Sequence, residues 1–146
     1  MAACCLSRSP EVSSVRAAPL ARWPKQRVAP VLGELSDRGL LTVCGAVEIE
    51  VIHSARTVKD AQRARWLMGG FQWLSMPDEV WDRAIDVQVQ ALHKGGHRAL
   101  STADLLIAAT AERHGVTVLH YDGDFDFISA ITGQPSAWVV PPGTAD

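Results

Sequence analysis

From residue 30 onward the apolar positions switch between two periods, and each switch marks an element boundary. Val31, Leu32 and Leu35 follow helical spacing that stops at Gly39, and residues 40–44, Leu-Leu-Thr-Val-Cys, then read as a buried strand. Gly45 is the turn. Residues 46–55 return to helical spacing as the first part of a helical pair over 47–68, broken near Thr57. Gly69-Gly70 predicts a turn and 71–76 a strand carrying Trp73; Pro77 opens a helix with Val80, Ala84, Val87, Val89 and Leu92 on its apolar face, ending at Gly95-Gly96. Ser101-Thr102-Ala103-Asp104 offers N-cap side chains to a helix with apolar Leu105, Leu106, Ala108, Ala109 and Ala111, stopped by Gly115. Residues 116–121, Val-Thr-Val-Leu-His-Tyr, are short, apolar and rich in β-branched residues, as a buried parallel strand is. A helix over 125–131, punctuation at Gly133-Gln134-Pro135 and a strand over 137–140 complete the chain. Strands alternating with helices predict an α/β domain with a central, mostly parallel sheet flanked by helices. Residues 1–27 show weak periodicity, with one strand candidate over 2–6.

This topology has a chemical consequence. The helix starting near Asp104 and the strand over 116–121 are tightly joined and run antiparallel, so the helix begins where the strand ends, near Asp122. The helix over 46–55 starts from the same edge of its own strand and carries Glu48 and Glu50 in its early turns. Glu50, Asp104 and Asp122 therefore gather at the carboxyl edge of the sheet, where ligands bind in open α/β folds. Carboxylates gathered without matching bases predict a divalent metal.

Composition narrows the picture. The 146 residues, 47% hydrophobic and 21% charged, suit one globular domain. The net charge of −2 conceals an asymmetry: residues 1–39 hold six Arg or Lys against three acids, and the remainder eight against thirteen. An acidic body argues against broad electrostatic capture of nucleic acid, so an anionic substrate needs metal ions or local bases. Cys4, Cys5 and Cys44 lack the spacing of a zinc site or a disulfide framework, which points to a reducing compartment. No apolar run approaches a membrane span and the N-terminal apolar stretch is short for a signal peptide, so a cytoplasmic protein is expected.

Three blocks carry a further signal: Val-Glu-Ile-Glu-Val-Ile-His-Ser-Ala-Arg (47–56), Asp-Leu-Leu-Ile-Ala-Ala-Thr-Ala-Glu (104–112) and Leu-His-Tyr-Asp-Gly-Asp-Phe-Asp (119–126). In this order they resemble PIN-domain ribonuclease toxins of the VapC type, and the similarity extends over roughly 22–141, through Thr-Gly-Gln-Pro and Trp-Val-Val. The resemblance implies a single PIN-like domain over 22–141, with 1–21 as a divergent or mis-specified segment and 142–146 as a tail. It implies metal-dependent hydrolysis of RNA, commonly at a single-stranded loop of a structured RNA, using Mg²⁺ or Mn²⁺. Glu50, Asp104 and Asp122 match the acidic ligands, with Glu48 as the alternative to Glu50 and Asp124 supporting or sharing the role of Asp122. A cognate antitoxin and a homodimer are implied partners. Arg56, His97 and Arg98 are the candidates for contacting RNA phosphates.

One departure stands beside the match. Such toxins open with a strand ending in Asp-x-Ser, whose Asp is a principal metal ligand, and here no Asp precedes Asp37. The best overlay puts residues 3–6 on that strand and Ser7 on the missing Asp. Two explanations stay open: a natural variant with a damaged site, or an N-terminal segment arising from a wrong start or a frame error. A catalytically impaired PIN module that binds antitoxin or RNA without cleavage is the alternative function. The plainer readings are a helix N-terminal acid for Asp104, a turn former for Asp122, solvated helix charge for Glu48 and Glu50, a surface position for Asp126, structural roles for His97 and His120, and packing for Trp66, Trp73, Trp81 and Trp138.

Overall fold

In a computed structural model, residues 4–5, 23 and 25–144 are described. The chain order is β1 (Cys4–Cys5), α1 (Val28–Asp37), β2 (Thr42–Val43), α2 (Gly45–His53), α3 (Val58–Met68), β3 (Gln72–Trp73), α4 (Asp78–His93), α5 (Thr102–His114), β4 (Val118–His120), α6 (Gly123–Thr132) and β5 (Ser136–Trp138). The strands form one five-stranded sheet in the order β3-β2-β1-β4-β5. β2 pairs with β3 and β4 with β5 in parallel, each pair linked through helices. The α/β fold with a mostly parallel sheet is therefore as expected, and the strands are shorter than the apolar runs suggested.

The exception is β1. Cys5 lies opposite both Thr42 and Val118, and both pairings are antiparallel, so β1 runs against its neighbours. Its carboxyl end faces the edge opposite to the one where β2 and β4 end. That direction conflicts with the overlay of residues 3–6 on a parallel first strand that delivers Ser7 to the acidic edge. Ser7 itself lies outside the described residues, as does most of segment 1–21.

Helix boundaries fall where the cap residues put them. Thr57 separates α2 from α3 because its side chain accepts a hydrogen bond from the Asp60 N–H at 3.1 Å, satisfying a donor that the first turn of α3 leaves unpaired. Gly115 ends α5 at φ 64°, a left-handed conformation that strains residues bearing a Cβ, and lets the chain reverse into β4.

α5 is the centre of the molecule. Every residue from Asp104 to Ala111 is buried, so the helix is apolar on all sides rather than on one stripe. It packs against α4, α2 and α6. Toward the middle of the helix Thr110 Oγ1 donates to the Leu106 carbonyl at 2.7 Å, and buried Gln134 donates through Nε2 to the Ala108 carbonyl at 2.9 Å. Arg83 on α4 meets Glu112 on α5 with two parallel bonds, at 2.6 and 2.9 Å.

Two expectations about packing are overturned. α4 buries Val80, Ala84, Val87 and Ala91, leaving Val89 and Leu92 exposed; the helix turns a narrower face inward than the apolar positions allow. Trp66 is 83% exposed, and Trp73 and Trp81 are exposed as well, because α3, β3 and that side of α4 face outward. Among the described residues no helix is long and apolar enough to cross a membrane.

Candidate metal centre at the carboxyl edge of the sheet

Two helices begin at the edge where β4 ends. α5 opens with a capping box: the Ser101 side chain accepts from the Asp104 N–H at 3.1 Å, and Asp104 Oδ2 accepts from the Ser101 N–H at 3.0 Å and from its Oγ–H at 2.6 Å. Capping thus accounts for Oδ2. It does not account for Oδ1, which is buried without a hydrogen-bond partner in a residue only 2% exposed. Burial pushes the Asp104 carboxyl above the usual Asp range, against the lowering effect of the Ser101 bonds, and nearby Asp124 raises it further.

α6 opens from β4 through Asp122, its N-cap, whose Oδ1 accepts from the Asp124 N–H at 3.2 Å. Asp122 and Asp124 are both half-buried. The Asp124 carboxyl is likewise raised, by burial first and by the charge of Asp122 second. Asp124 thus acts electrostatically on Asp104, and Asp122 on Asp124, across the starts of two helices. Asp126 is exposed, as expected, and accepts from Trp138 Nε1–H at 2.9 Å.

The other candidates are more spread out. Glu50 is half-buried on α2, which packs against α5. Glu48 is engaged by Arg65 Nε at 2.5 Å, an ion pair tying α2 to α3. Among the described residues no three His, Cys, Asp or Glu side chains draw together closely enough to hold a metal ion as they stand. His97 and Arg98 lie in the loop between α4 and α5, which leads into the acidic edge; Arg98 is exposed, while His97 is half-buried with Nδ1 shut away from any partner. Arg56 is exposed beyond the far end of α2, separated from that edge by about 13 Å of helix. His97 and Arg98 thus precede the start of α5 by a few residues, whereas Arg56 follows the far end of α2.

The donor chemistry fits a hard divalent cation. A buried carboxylate oxygen without a hydrogen-bond donor, beside an Asp124 carboxylate that raises the proton affinity of Asp104, gains from a positive charge with oxygen preference. Two structural contributors went unread in the sequence. Gly96 lies so close to the Phe127 ring of α6 that an added Cβ would collide with it, which fixes the loop bearing His97 and Arg98; a glycine pair reads only as a helix stop. Gln134, buried beneath α5, gave no signal beyond its place in a turn.

The PIN domain profile matches residues 23–130. Among curated proteins, the chain is 45% identical over 115 residues to Ribonuclease VapC21 of Mycobacterium tuberculosis (strain CDC 1551 / Oshkosh), covering 78% of this chain and 83% of that protein. It is 37% identical over 125 residues to Ribonuclease VapC51 of Mycobacterium tuberculosis (strain ATCC 25618 / H37Rv), covering 86% and 90%. Ribonuclease VapC18 of the same strain is 39% identical over 104 residues, covering 70% and 76%. The fold is that of a single α/β domain of the PIN type, and the chain belongs to the PIN domain family, among its VapC-type members.

Proposed function

We propose that this chain is an endoribonuclease toxin of a toxin–antitoxin pair, hydrolysing RNA phosphodiester bonds with a divalent cation held at the acidic edge. The observation that carries the reading is the buried, unpartnered Oδ1 of Asp104 beside Asp124 and Asp122, in a chain whose relatives are named ribonucleases. Asp104, Asp122, Asp124 and Glu50 would hold Mg²⁺ or Mn²⁺, which when bound supplies charge neutralisation and a water acidic enough to attack at neutral pH. Asp104 is locked by Ser101 with Oδ1 available, so its position costs no reorganisation when the ligand arrives. Arg98 and His97, in the neighbouring loop, would contact the substrate's phosphates and offset the acidic surroundings.

The partners follow from the same surfaces. An antitoxin segment bearing an Arg suits the carboxylates of the acidic edge and competes for them with substrate and cation. A second copy of the chain suits α4, where Trp81, Ile85, Val89 and Leu92 form an exposed apolar stripe. Acids Asp78, Asp82 and Asp86 precede His93 and Lys94 along that helix, so antiparallel two-fold pairing sets the acidic part of one copy against the basic end of the other. The cytoplasm is the compartment that holds both RNA and antitoxin.

The test is cleavage of purified total RNA with Mn²⁺ and with EDTA, using the chain and Asp104→Asn. Cleavage that needs Mn²⁺ and disappears in Asp104→Asn supports the reading. Cleavage that persists in EDTA, or in Asp104→Asn, overturns it.

A further inference from the structure

His120 is fully buried at the end of β4, two residues before Asp122, and nothing in the proposed reaction yet employs it. A buried imidazole costs free energy unless its nitrogens are engaged, and an aliphatic side chain would fill the space more cheaply. The bonding around it shows what the ring does. The β4–β5 ladder ends with His120 opposite Trp138, and the His120 carbonyl accepts from the Val139 N–H at 2.9 Å. Asp122 lies beyond that last pair, extended at φ −150° and ψ 130°, and as the N-cap of α6 its N–H has no acceptor within the helix. That N–H donates to His120 Nδ1 at 3.3 Å.

A backbone N–H can only donate, so Nδ1 carries the lone pair and the ring proton of the neutral imidazole sits on Nε2. Nε2 lies 3.4 Å from Asp126 Oδ1, a close approach outside hydrogen-bond geometry, while Asp126 Oδ2 accepts from Trp138 Nε1–H. Phe125 and Trp138 enclose the ring, with centroids 5.5 and 4.9 Å away. The contacts run without interruption from Trp138 through Asp126 and His120 to the backbone of Asp122.

We infer that His120 is a positioning residue for Asp122: it fixes the direction in which the chain leaves β4, and so aims the Asp122 carboxylate at the cation site, while Asp126 and Trp138 hold the ring. The inference rests on the proposed reading of Asp122 as a cation ligand. His120 touches neither substrate nor cation in this role. It acts as the residues behind metal ligands generally do, where substitution costs about 10-fold to 100-fold in affinity.

The experiment compares the full chain with His120→Leu and His120→Asn, the second of which keeps an acceptor near the Nδ1 position. The readouts are the Asp122 amide resonance with its hydrogen exchange, and Mn²⁺ affinity by calorimetric titration. In His120→Leu the Asp122 amide shifts and exchanges faster, and Mn²⁺ binds about 10-fold more weakly or worse; His120→Asn restores most of both. A folded His120→Leu with the parent's amide and affinity overturns the inference, as does His120→Asn failing as badly as His120→Leu, which would make ring volume the whole contribution. Should His120→Leu fail to fold, Trp138→Phe decides, since it keeps an aromatic ring and removes the donor to Asp126; unchanged Mn²⁺ affinity there is contrary to the inference. A parent chain that binds no Mn²⁺, or Asp104→Asn binding it as the parent does, overturns the metal reading itself and this role with it.

Discussion

α5 and α6 begin at the same edge of the sheet, each with an aspartate performing a cap bond, yet the two carboxylates end in different circumstances. Asp122 is half-buried at the start of α6, and its cap bond to the Asp124 N–H is a sufficient structural reason for an Asp there. Asp104 is 2% exposed, and the capping box uses one of its oxygens and strands the other. A serviceable cap does not require that cost. The contrast separates an acid whose cap bond already explains its position from one whose burial the cap leaves uncompensated, the observation on which the proposed cation reading rests.

The largest effect should come from the stranded oxygen. Asp104→Asn keeps an acceptor for the Ser101 bonds and removes the charge, and RNA cleavage should fall by about 100-fold or more, beyond the loss seen for residues merely behind metal ligands. Asp122→Asn should cost about 10-fold to 100-fold in cleavage, at least what losing its positioning residue costs, with little change in Tm, because Asn caps a helix as well as Asp does. Equal losses from the two substitutions would erase the distinction between the helix starts.

The same contrast predicts a trade between function and stability. Asp104 and Asp124 bind protons more tightly folded than at the ordinary Asp value of 3.8. In the window from about 3.8 upward to their raised values, the folded state therefore holds more protons than the unfolded state, and stability falls as pH rises through it. Metal-free protein should thus lose Tm across that window, and Mn²⁺ should remove the slope. Above the window Asp104→Asn should melt roughly 2–4 °C higher than the parent without metal, the shift expected for about 1 kcal/mol at this length. A lower Tm for Asp104→Asn would show that the buried charge is already compensated. The smallest change is expected away from the edge: Ile85→Glu, on the exposed stripe of α4, should alter monomer stability by no more than about 0.5 kcal/mol while dissociating a dimer in sedimentation.

The sequence revealed what depends on local chemistry. Thr57, Ser101, Gly115 and Gly133 mark helix ends because caps and left-handed turns are decided by neighbouring residues. The juxtaposition of Asp104 and Asp122 was legible for the same reason, as it needs only a helix, a tight turn and a strand. The direction of β1 was not, because a two-residue strand pairs by tertiary context and its composition is indifferent to polarity. Nor was the split of α4 into a buried face and an exposed apolar stripe: Val89 and Leu92 are as apolar as Val80 and Val87, and only the neighbours that α4 packs against distinguish them. The link from His120 to Asp122 was hidden because a histidine at a strand end has the same letter whether it packs, binds or positions.

The most direct measurement is calorimetric titration of Mn²⁺ into the parent chain and into Asp104→Asn, both shown to be folded. Saturable binding by the parent, weakened about 100-fold or more by the substitution, is the predicted result. Equal binding by the two proteins would contradict it, and would return Asp104 to the role of a helix cap.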